Sequence, residues 1–199
     1  AAGLSSALGA GPTLIISPTI SLIDDQRSEW RLFNKKIEER NSKSSGREIP
    51  LLRCEFLTSE QLKTGSVGGI VGVFRRILDG ELDVLCCSPE ILVSNYKGYG
   101  FPDLIPQLVS RGGTSFSNFI FDEAHILYDW GDSIRPHFLM INSLERMMRK
   151  LNPSMHTTMM SATLAPRESE WIASSYGRSP NEVKVIRPPR VREDLAYSV

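Results

Sequence analysis

The segment NFIFDEAH, from Asn118 to His125, is a short apolar run that leads directly into two adjacent carboxylates. Similar apolar runs recur along the chain, and residues with helical spacing lie between them. This alternation predicts a mainly parallel sheet with helices on both faces, an α/β domain in which ligands bind at the carboxyl ends of the strands. The predicted strands cover residues 13–17, 51–57, 83–88, 118–121, 157–161 and 182–186, and the clearest helices cover 68–80 and 137–151.

The charge of the chain limits how it can contact nucleic acid. The 199 residues carry 23 Lys and Arg and 23 Asp and Glu, so the net charge is zero. A protein that holds nucleic acid by bulk electrostatics is usually strongly basic. Any such contact must therefore come from a local patch or from parts of the protein outside this chain.

Cysteine use and hydropathy predict the compartment. The three cysteines, Cys54, Cys86 and Cys87, form neither a disulfide framework nor a zinc motif,. No apolar run approaches the ~18 residues that a membrane span needs, and residues 1–12 lack the positively charged start of a signal peptide,. We therefore expect a reducing, cytoplasmic location without a membrane partner, at the nucleoid if the source is bacterial.

Asp122 and Glu123 follow a predicted buried strand, where paired carboxylates suit the chemistry of nucleotide hydrolysis. Asp122 would hold Mg²⁺ through the water shell of the ion, because Mg²⁺ keeps several waters and takes few protein carboxylates. Glu123 would orient and activate the water that attacks the γ-phosphate. Acidic pairs are more often solvated surface residues, so it is the position directly after an apolar run that favours the functional interpretation.

Four further segments carry polar or aromatic residues that suit nucleic-acid contact or coupling. SPTISLIDDQ covers residues 17–26, SPE covers 88–90, and SAT covers 161–163 and ends 41 residues after Asp122. The acidic pair itself opens the fourth segment, DEAHILYDWGDSIRP at 122–136. There Trp130 offers a face for base stacking, and Arg135 supplies a positive charge.

The order and spacing of these segments resemble the first of the two RecA-like motor domains of a RecQ-like DNA helicase of superfamily 2, over about residues 14–199. The resemblance implies a RecA-like P-loop NTPase fold. It also implies an intact protein that uses ATP and Mg²⁺ to separate DNA strands with 3′-to-5′ polarity. The resemblance implies that Asp122, Glu123 and His125 are catalytic and that Asp122 also holds Mg²⁺. It implies that Ser161 and Thr163 couple the nucleotide state to the DNA. The residues that it implies contact the DNA are Ser17, Pro18, Thr19, Ser88, Trp130 and Arg135. His125 is further expected to bridge to the SAT segment.

The sequence departs from this family in one respect that bears on activity. The G-x-x-x-x-G-K-[ST] phosphate-binding loop, the Walker A motif, does not occur in these 199 residues,. We interpret residues 1–12 as the remnant of the helix and loop that follow that motif, 13–187 as the first RecA-like domain, and 188–199 as a linker toward the second. We expect the chain alone to be inactive and to self-associate through sheet edges that the missing strand would otherwise cover.

Two alternatives stay open. An RNA helicase of the DEAH or DEAD type shares the acidic motif but lacks the Trp-Gly and Arg-Pro pairs to which Trp130 and Arg135 belong. A non-catalytic nucleic-acid-binding module would keep the fold but would not need Asp122, Glu123 or the SAT segment. An upstream sequence that contains or lacks a Gly-Lys-Thr/Ser loop would separate these readings.

Overall fold

The computed structural model describes residues 11–44, 46, 48–58, 60, 67–93, 95–96, 99–103, 106, 116–130, 137–176 and 182–186, with the main chain alone at 67–71, 95–96, 99–100, 129–130 and 137–139. Its strands are β1 (Thr13–Ile16), β2 (Cys54–Leu57), β3 (Val84–Cys87), β4 (Asn95–Tyr96), β5 (Tyr99–Gly100), β6 (Asn118–Phe121) and β7 (His156–Met159). Its helices are α1 (Ile20–Lys43), α2 (Val67–Leu78), α3 (Pro89–Val93), α4 (His125–Trp130), α5 (His137–Leu151) and α6 (Pro166–Ser175). None of these helices is long and apolar enough to cross a membrane.

Five strands form one sheet in the order β2-β3-β1-β6-β7, and every neighbouring pair is parallel. From β1 the chain crosses to β2 and β3 on one side of it, and then passes to β6 and β7 on the other. The remaining strands, β4 and β5, form a separate antiparallel pair. Because all five strands point the same way, their carboxyl ends share one edge, and the winding reverses at β1, where open α/β sheets bind ligands. The predicted parallel α/β fold is confirmed.

Alternating side chains along the strands enter two cores of unequal size. Leu14 and Ile16 face the larger core, which also takes Phe119, Phe121 and the apolar sides of α2, α3, α5 and α6. The opposite face packs on α1 in a smaller core whose buried members are Ile15, Ile23, Val84 and Cys86. Full burial of a Leu or Phe side chain stabilises a fold by roughly 1.5–3 kcal/mol. Helices thus cover both faces, as predicted, and most of the hydrophobic stabilisation comes from the larger core.

Side-chain hydrogen bonds fix the long helix α1 at its start and along its length. Thr19 caps the first turn, where its Oγ1 accepts a hydrogen bond from the main chain of the third helical residue,. Asn34 donates to the carbonyl of Leu52 (2.9 Å) and accepts from its N–H (3.1 Å). Asn41, two turns later, makes the same pair of bonds with Ile49 (2.8 and 3.0 Å). The segment that leads into β2 is therefore held against α1 by two side-chain amides.

Helix α2 ends in a cap that depends on glycine. Gly80 has a φ of 69°, a conformation that glycine adopts without steric cost. Its N–H donates to the carbonyl of Ile77 at 3.1 Å, and the N–H of Glu81 donates to that of Arg76 at 2.8 Å. These are the two bonds of a Schellman motif, which satisfies carbonyls that the last helical turn leaves without a partner.

Of the six predicted strands, only 118–121 has the observed bounds; those predicted at 13–17 and 83–88 are each one or two residues shorter (Thr13–Ile16 and Val84–Cys87), and the other three differ more. The strand predicted at 51–57 is shorter, and the one predicted at 157–161 begins and ends earlier (His156–Met159). The strand predicted at 182–186 is wrong, since that segment is irregular and its Val185 and Ile186 are 55% and 78% exposed. β-branched residues favour a strand only where a neighbouring strand supplies packing and hydrogen bonds. Within the described residues no strand pairs with this segment.

Candidate functional site

Polar residues follow four neighbouring parallel strands at the point where each strand ends. The main-chain N–H of Ser17 donates to Cys87 (3.1 Å), and that of Asp122 donates to Ile16 (2.9 Å). On the far side of Asp122, the N–H of Met160 donates to the carbonyl at the end of β6 (2.8 Å). The ladder therefore continues one residue beyond the strands, which brings the residues after β3, β1, β6 and β7 to one edge.

Asp122 is half-buried, and each of its carboxylate oxygens accepts one hydrogen bond. Gln26, on α1, donates from Nε2 to Oδ2 at 3.1 Å. The main-chain N–H of Glu123 donates to Oδ1 at 3.0 Å. The side chain is thus held from a helix on one side and from its own turn on the other, and it still has lone pairs for further ligands.

Glu123 adopts a backbone conformation that is rare for a residue with a side chain. Its φ is 53°, in the left-handed region, which costs a residue other than glycine about 1–2 kcal/mol. The turn is nevertheless held in place, because the N–H of Ala124 donates to the carbonyl of Met160 at 2.8 Å. Strain of this kind, when the surroundings maintain it, is frequent at functional sites.

His125 connects the acidic turn to the segment after β7. Its Nδ1 lies 2.9 Å from Ser161 Oγ and 3.2 Å from Glu123 Oε2. The expected contact between His125 and the SAT segment is therefore present, although its role in coupling stays a prediction. Ser161 Oγ also accepts from the N–H of Thr163 at 3.3 Å, and the Thr163 side chain is exposed.

The helices on either side of this contact also pack on each other. Tyr128, on α4, meets Trp171, on α6, edge to face with ring centroids 5.6 Å apart. The far end of α6 is held by α5, where Arg146 donates to the carbonyl of Ser175 at 2.8 Å and Arg149 donates to that of Tyr176 at 3.1 Å. The SAT segment therefore connects a strand to a helix that is held at its middle and at its C-terminal end.

The family model for DEAD/DEAH box helicases matches residues 3–171, a range that contains Asp122, Glu123, His125 and the SAT segment. The chain belongs to the DEAD/DEAH box helicase family. Similar proteins include ATP-dependent DNA helicase Q5 of Mus musculus, which is 27% identical over 197 residues covering 98% of this chain and 17% of that protein. ATP-dependent DNA helicase RecQ of Synechocystis is 25% identical over 187 residues, 94% of this chain and 33% of that protein.

ATP-dependent helicase SGS1 of Saccharomyces cerevisiae is 28% identical over 136 residues, 68% of this chain and 8% of that protein. The helicase domain thus spans a third or less of the length of these three relatives. The predicted resemblance to RecQ-like helicases is confirmed by these matches. Asp122, Glu123 and His125 supply the D-E-A-H sequence of the family name.

The residues expected to contact DNA differ in their exposure in this helicase domain. Thr19 is exposed at the start of α1, and Pro18 before it is buried. Ser17 and Ser88 are 0% and 2% exposed, and within the described residues their hydroxyls have no hydrogen-bond partner. The side chain of Trp130 and the whole of Arg135 lie outside the described residues. The roles of these residues in binding DNA stay predictions.

Sequence reasoning missed Gln26, which contacts both the acidic motif and a cysteine. Its Oε1 lies 3.5 Å from the Sγ of Cys86 in the helicase domain. Burial raises the pKa of that thiol to about 12, so the thiol is protonated and donates to the amide oxygen. Gln26 belongs to the SPTISLIDDQ segment, but the sequence alone does not show which strand end a helical side chain faces.

Proposed function

We propose that this domain is part of an ATP-dependent DNA helicase that couples ATP hydrolysis to DNA strand separation, with RecQ-like 3′-to-5′ polarity. The observation that carries the proposal is the cluster of Asp122, Glu123, His125 and Ser161 at the carboxyl ends of β6 and β7, in a chain of the DEAD/DEAH box helicase family. The similar proteins Q5 and RecQ are named as DNA helicases, which favours DNA as the substrate.

Asp122 holds the cation of the Mg²⁺–ATP complex in this proposal. Within the described residues, no group of three or more His, Cys, Asp and Glu side chains could hold a metal ion. Mg²⁺ does not need such a group, because it keeps several waters and takes one or two carboxylates together with the substrate phosphates. The half-buried carboxylate of Asp122, with one donor on each oxygen, fits that requirement. When bound, the ion neutralises charge that develops on the phosphates.

Glu123 orients the attacking water and accepts its proton. Its carboxylate is 31% exposed, so water reaches it, and its Oε2 lies 3.2 Å from His125. Its positive φ turns the side chain out of the direction that an extended strand would give it,. The strained turn thus supports the placement of a general base beside the phosphate end of the nucleotide.

His125, Ser161 and Thr163 couple the nucleotide state to the strand-binding edge. The Nδ1 of His125 lies within 3.2 Å of the side chains of both Glu123 and Ser161. A displacement of Glu123 is therefore transmitted to Ser161 through this imidazole. Ser161 in turn bonds the main chain of Thr163, immediately before α6. The DNA strand would run along the starts of α1 and α3, where Ser17, Pro18, Thr19 and Ser88 lie, with Trp130 and Arg135 as stacking and charge contacts.

Two buried hydroxyls support a polar ligand at this edge. Ser17 and Ser88 follow neighbouring strands, and neither Oγ has a hydrogen-bond partner within the described residues. Buried hydroxyls are nearly always hydrogen-bonded in native proteins. A small opening of the edge when a nucleic-acid backbone binds would provide both with acceptors.

The intact protein is expected to need two parts that these 199 residues do not contain. One is the Walker A loop, which holds the phosphates, and the other is a second RecA-like domain, which closes the nucleotide cleft. We therefore expect the chain alone not to turn over ATP.

The proposal is tested on the full-length protein by measuring ATP turnover with no nucleic acid, with single-stranded DNA and with single-stranded RNA. We expect stimulation by DNA and its loss in Glu123→Gln, which keeps the size of the side chain but cannot take a proton. Stimulation by RNA alone would favour an RNA helicase of the DEAH or DEAD type. Nucleic-acid binding without turnover under any condition would favour a non-catalytic binding module.

A further inference from the structure

The side chain of Gln26 occupies a position between three elements. It projects from α1, its Nε2 donates to Asp122 Oδ2 after β6 (3.1 Å), and its Oε1 accepts from Cys86 in β3 (3.5 Å). Both ends of the amide are therefore engaged, and the two contacts also fix its orientation. The thiol of Cys86 donates to the amide oxygen, so the amide nitrogen faces the carboxylate of Asp122 and donates to it,.

The contact determines how Asp122 presents its free lone pairs. A carboxylate has about four acceptor positions on two oxygens. The N–H of Glu123 takes one on Oδ1, and Gln26 takes one on Oδ2. With both oxygens tied, the carboxylate cannot rotate without losing a hydrogen bond, and the remaining positions keep a constant direction.

Gln26 also lies on the helix that begins at the segment expected to contact the nucleic acid. It is seven residues beyond Thr19, which caps α1, and the rise of an α-helix puts it about 10 Å along the axis. Between the two lies Ile23, which is 0% exposed and joins α1 to the sheet. Because Thr19 and Gln26 belong to one continuous helix, a shift of the whole of α1 against the sheet would move Gln26 relative to Asp122.

We propose that Gln26 is a positioning residue, which orients the carboxylate of Asp122 toward the cation site and makes that orientation depend on the position of α1. The proposal rests on the proposed function, since it assigns Gln26 to the same nucleotide site. It provides a connection between strand binding and the nucleotide that is separate from the contact of His125 with Ser161. Partners that orient a metal-binding carboxylate typically change metal affinity or activity 10–100-fold when they are removed.

The test compares two full-length variants that each remove one side-chain amide from α1. Gln26→Leu keeps the helix and most of the side-chain volume but removes both contacts. Asn34→Leu is the matched control, because within the described part of the chain Asn34 bonds the main chain of Leu52 and not Asp122. The Mg²⁺ concentration at half-saturation is measured in two ways: by ATP turnover with and without single-stranded DNA, and by binding of a fluorescent ATP analogue, which needs no turnover.

We expect Gln26→Leu to raise the Mg²⁺ concentration at half-saturation by about tenfold or more in both measurements. Saturating Mg²⁺ should restore basal turnover to within about threefold of wild type, while the stimulation by DNA stays reduced. Asn34→Leu should lower thermal stability and leave the Mg²⁺ dependence as in wild type. If the role of Gln26 were merely structural, the two variants would not differ in their Mg²⁺ dependence.

Three results would overturn the inference. An active wild type whose Mg²⁺ dependence is unchanged in Gln26→Leu would remove the role of Gln26 and leave the proposed function in place. Equal shifts in both variants would reduce the contact to general support of α1. A wild type without Mg²⁺-dependent nucleotide binding or turnover would instead refute the proposed function, and the role of Gln26 with it.

Discussion

Among the described side chains, the imidazole of His125 is the one that lies within hydrogen-bond distance of both Glu123 and Ser161. Its removal should therefore uncouple ATP hydrolysis from the binding of the DNA strand. In the full-length protein we expect His125→Ala to lower DNA-stimulated ATP turnover about tenfold, which corresponds to about 1.4 kcal/mol. Ser161→Ala should have a similar effect. The double variant should be no slower than either single one, because all three remove the same contact.

The control for this cycle is His156→Ala, since that histidine is exposed on β7. It should turn over ATP like the wild type. Additive losses in the double variant would show that His125 and Ser161 act independently, which would contradict a shared contact.

A second residue-scale prediction concerns the pair formed by Arg53 and Asp83 at the amino end of β3. Asp83 accepts from the N–H, Nε and Nη2 of Arg53 at 2.9, 3.1 and 2.8 Å. Burial alone would raise the pKa of Asp83, but the hydrogen bonds and charge of Arg53 outweigh it and lower the pKa. The ionised carboxylate is thus favoured in the folded state. Its contribution is complete above the unfolded pKa of about 3.9 and is lost as the pH falls through the lower folded value.

Asp83→Asn should therefore reduce the free energy of unfolding by about 1–3 kcal/mol at pH 7, in the range of hydrogen bonds to charged groups. The difference from wild type should shrink below about pH 4, where Asp83 of the unfolded wild-type chain begins to take up a proton while the folded carboxyl is still ionised. Urea unfolding of both proteins at pH 7 and pH 3 measures this difference in the free energy of unfolding. A gap of equal size at the two pH values would contradict the assignment of this stability to the ionised pair.

At the scale of the element, α2 contains two glycines whose replacement should have opposite effects. A Cβ at Gly72, inside the helix, or at Gly80, after its end, would meet no atom of the described residues within 4 Å. Only the backbone conformation therefore distinguishes the two sites. Gly72→Ala should stabilise the protein by about 0.5–1 kcal/mol, because alanine loses less conformational freedom on folding. Gly80→Ala should destabilise it by about 1 kcal/mol, because its φ is 69°,. Thermal unfolding of the two variants beside wild type tests the pair, and a shift of the same sign in both would refute the account.

The elements that the sequence predicts best are those whose ends are marked chemically. β6 and α5 were predicted residue for residue, β6 because carboxylates end its apolar run and α5 because its apolar residues recur at helical spacing after a proline,. Residues 182–186 show the opposite case, since their composition favours a strand but strand formation depends on a neighbour that local sequence does not specify.

The candidate site could be predicted to a similar degree and for a similar reason. Asp122, Glu123 and Ser161 were identifiable because parallel strands bring the residues that follow them to one edge. Gln26 was not, because it reaches Asp122 from a helix 96 residues earlier in the chain. The positive φ of Glu123 was also not predictable, since it arises from hydrogen bonds on both sides of the turn.

At the scale of the whole molecule, one edge of the sheet should mediate association of the 199-residue chain. β7 is the last strand in the sheet order, and within the described residues no strand pairs with its outer side. The N–H groups of His156 and Met160 point to β6 and its flanking residues, so by alternation those of Thr157 and Met159 point outward. Unpaired edges of this kind template pairing with another chain.

We expect light scattering during size-exclusion chromatography to show a mass that rises with concentration for the isolated chain. Thr158→Lys, at an exposed position of β7, should shift the chain toward monomer, because a charged side chain on an edge strand opposes pairing,. Ser28→Lys adds the same charge at an exposed position of α1 and should leave association unchanged. A wild-type chain that stays monomeric at all concentrations would exclude this role of β7.

The left-handed backbone of Glu123 affects which substitutions at this position would be favoured during evolution. A glycine at this position would remove about 1–2 kcal/mol of steric cost, so the mutation that would remove the proposed general base would also favour folding. Because most random substitutions destabilise, a gene copy released from selection for turnover would be expected to lose this glutamate early. If the proposed role of Glu123 is right, a glutamate in the left-handed region is expected only where selection for the carboxylate outweighs selection for stability.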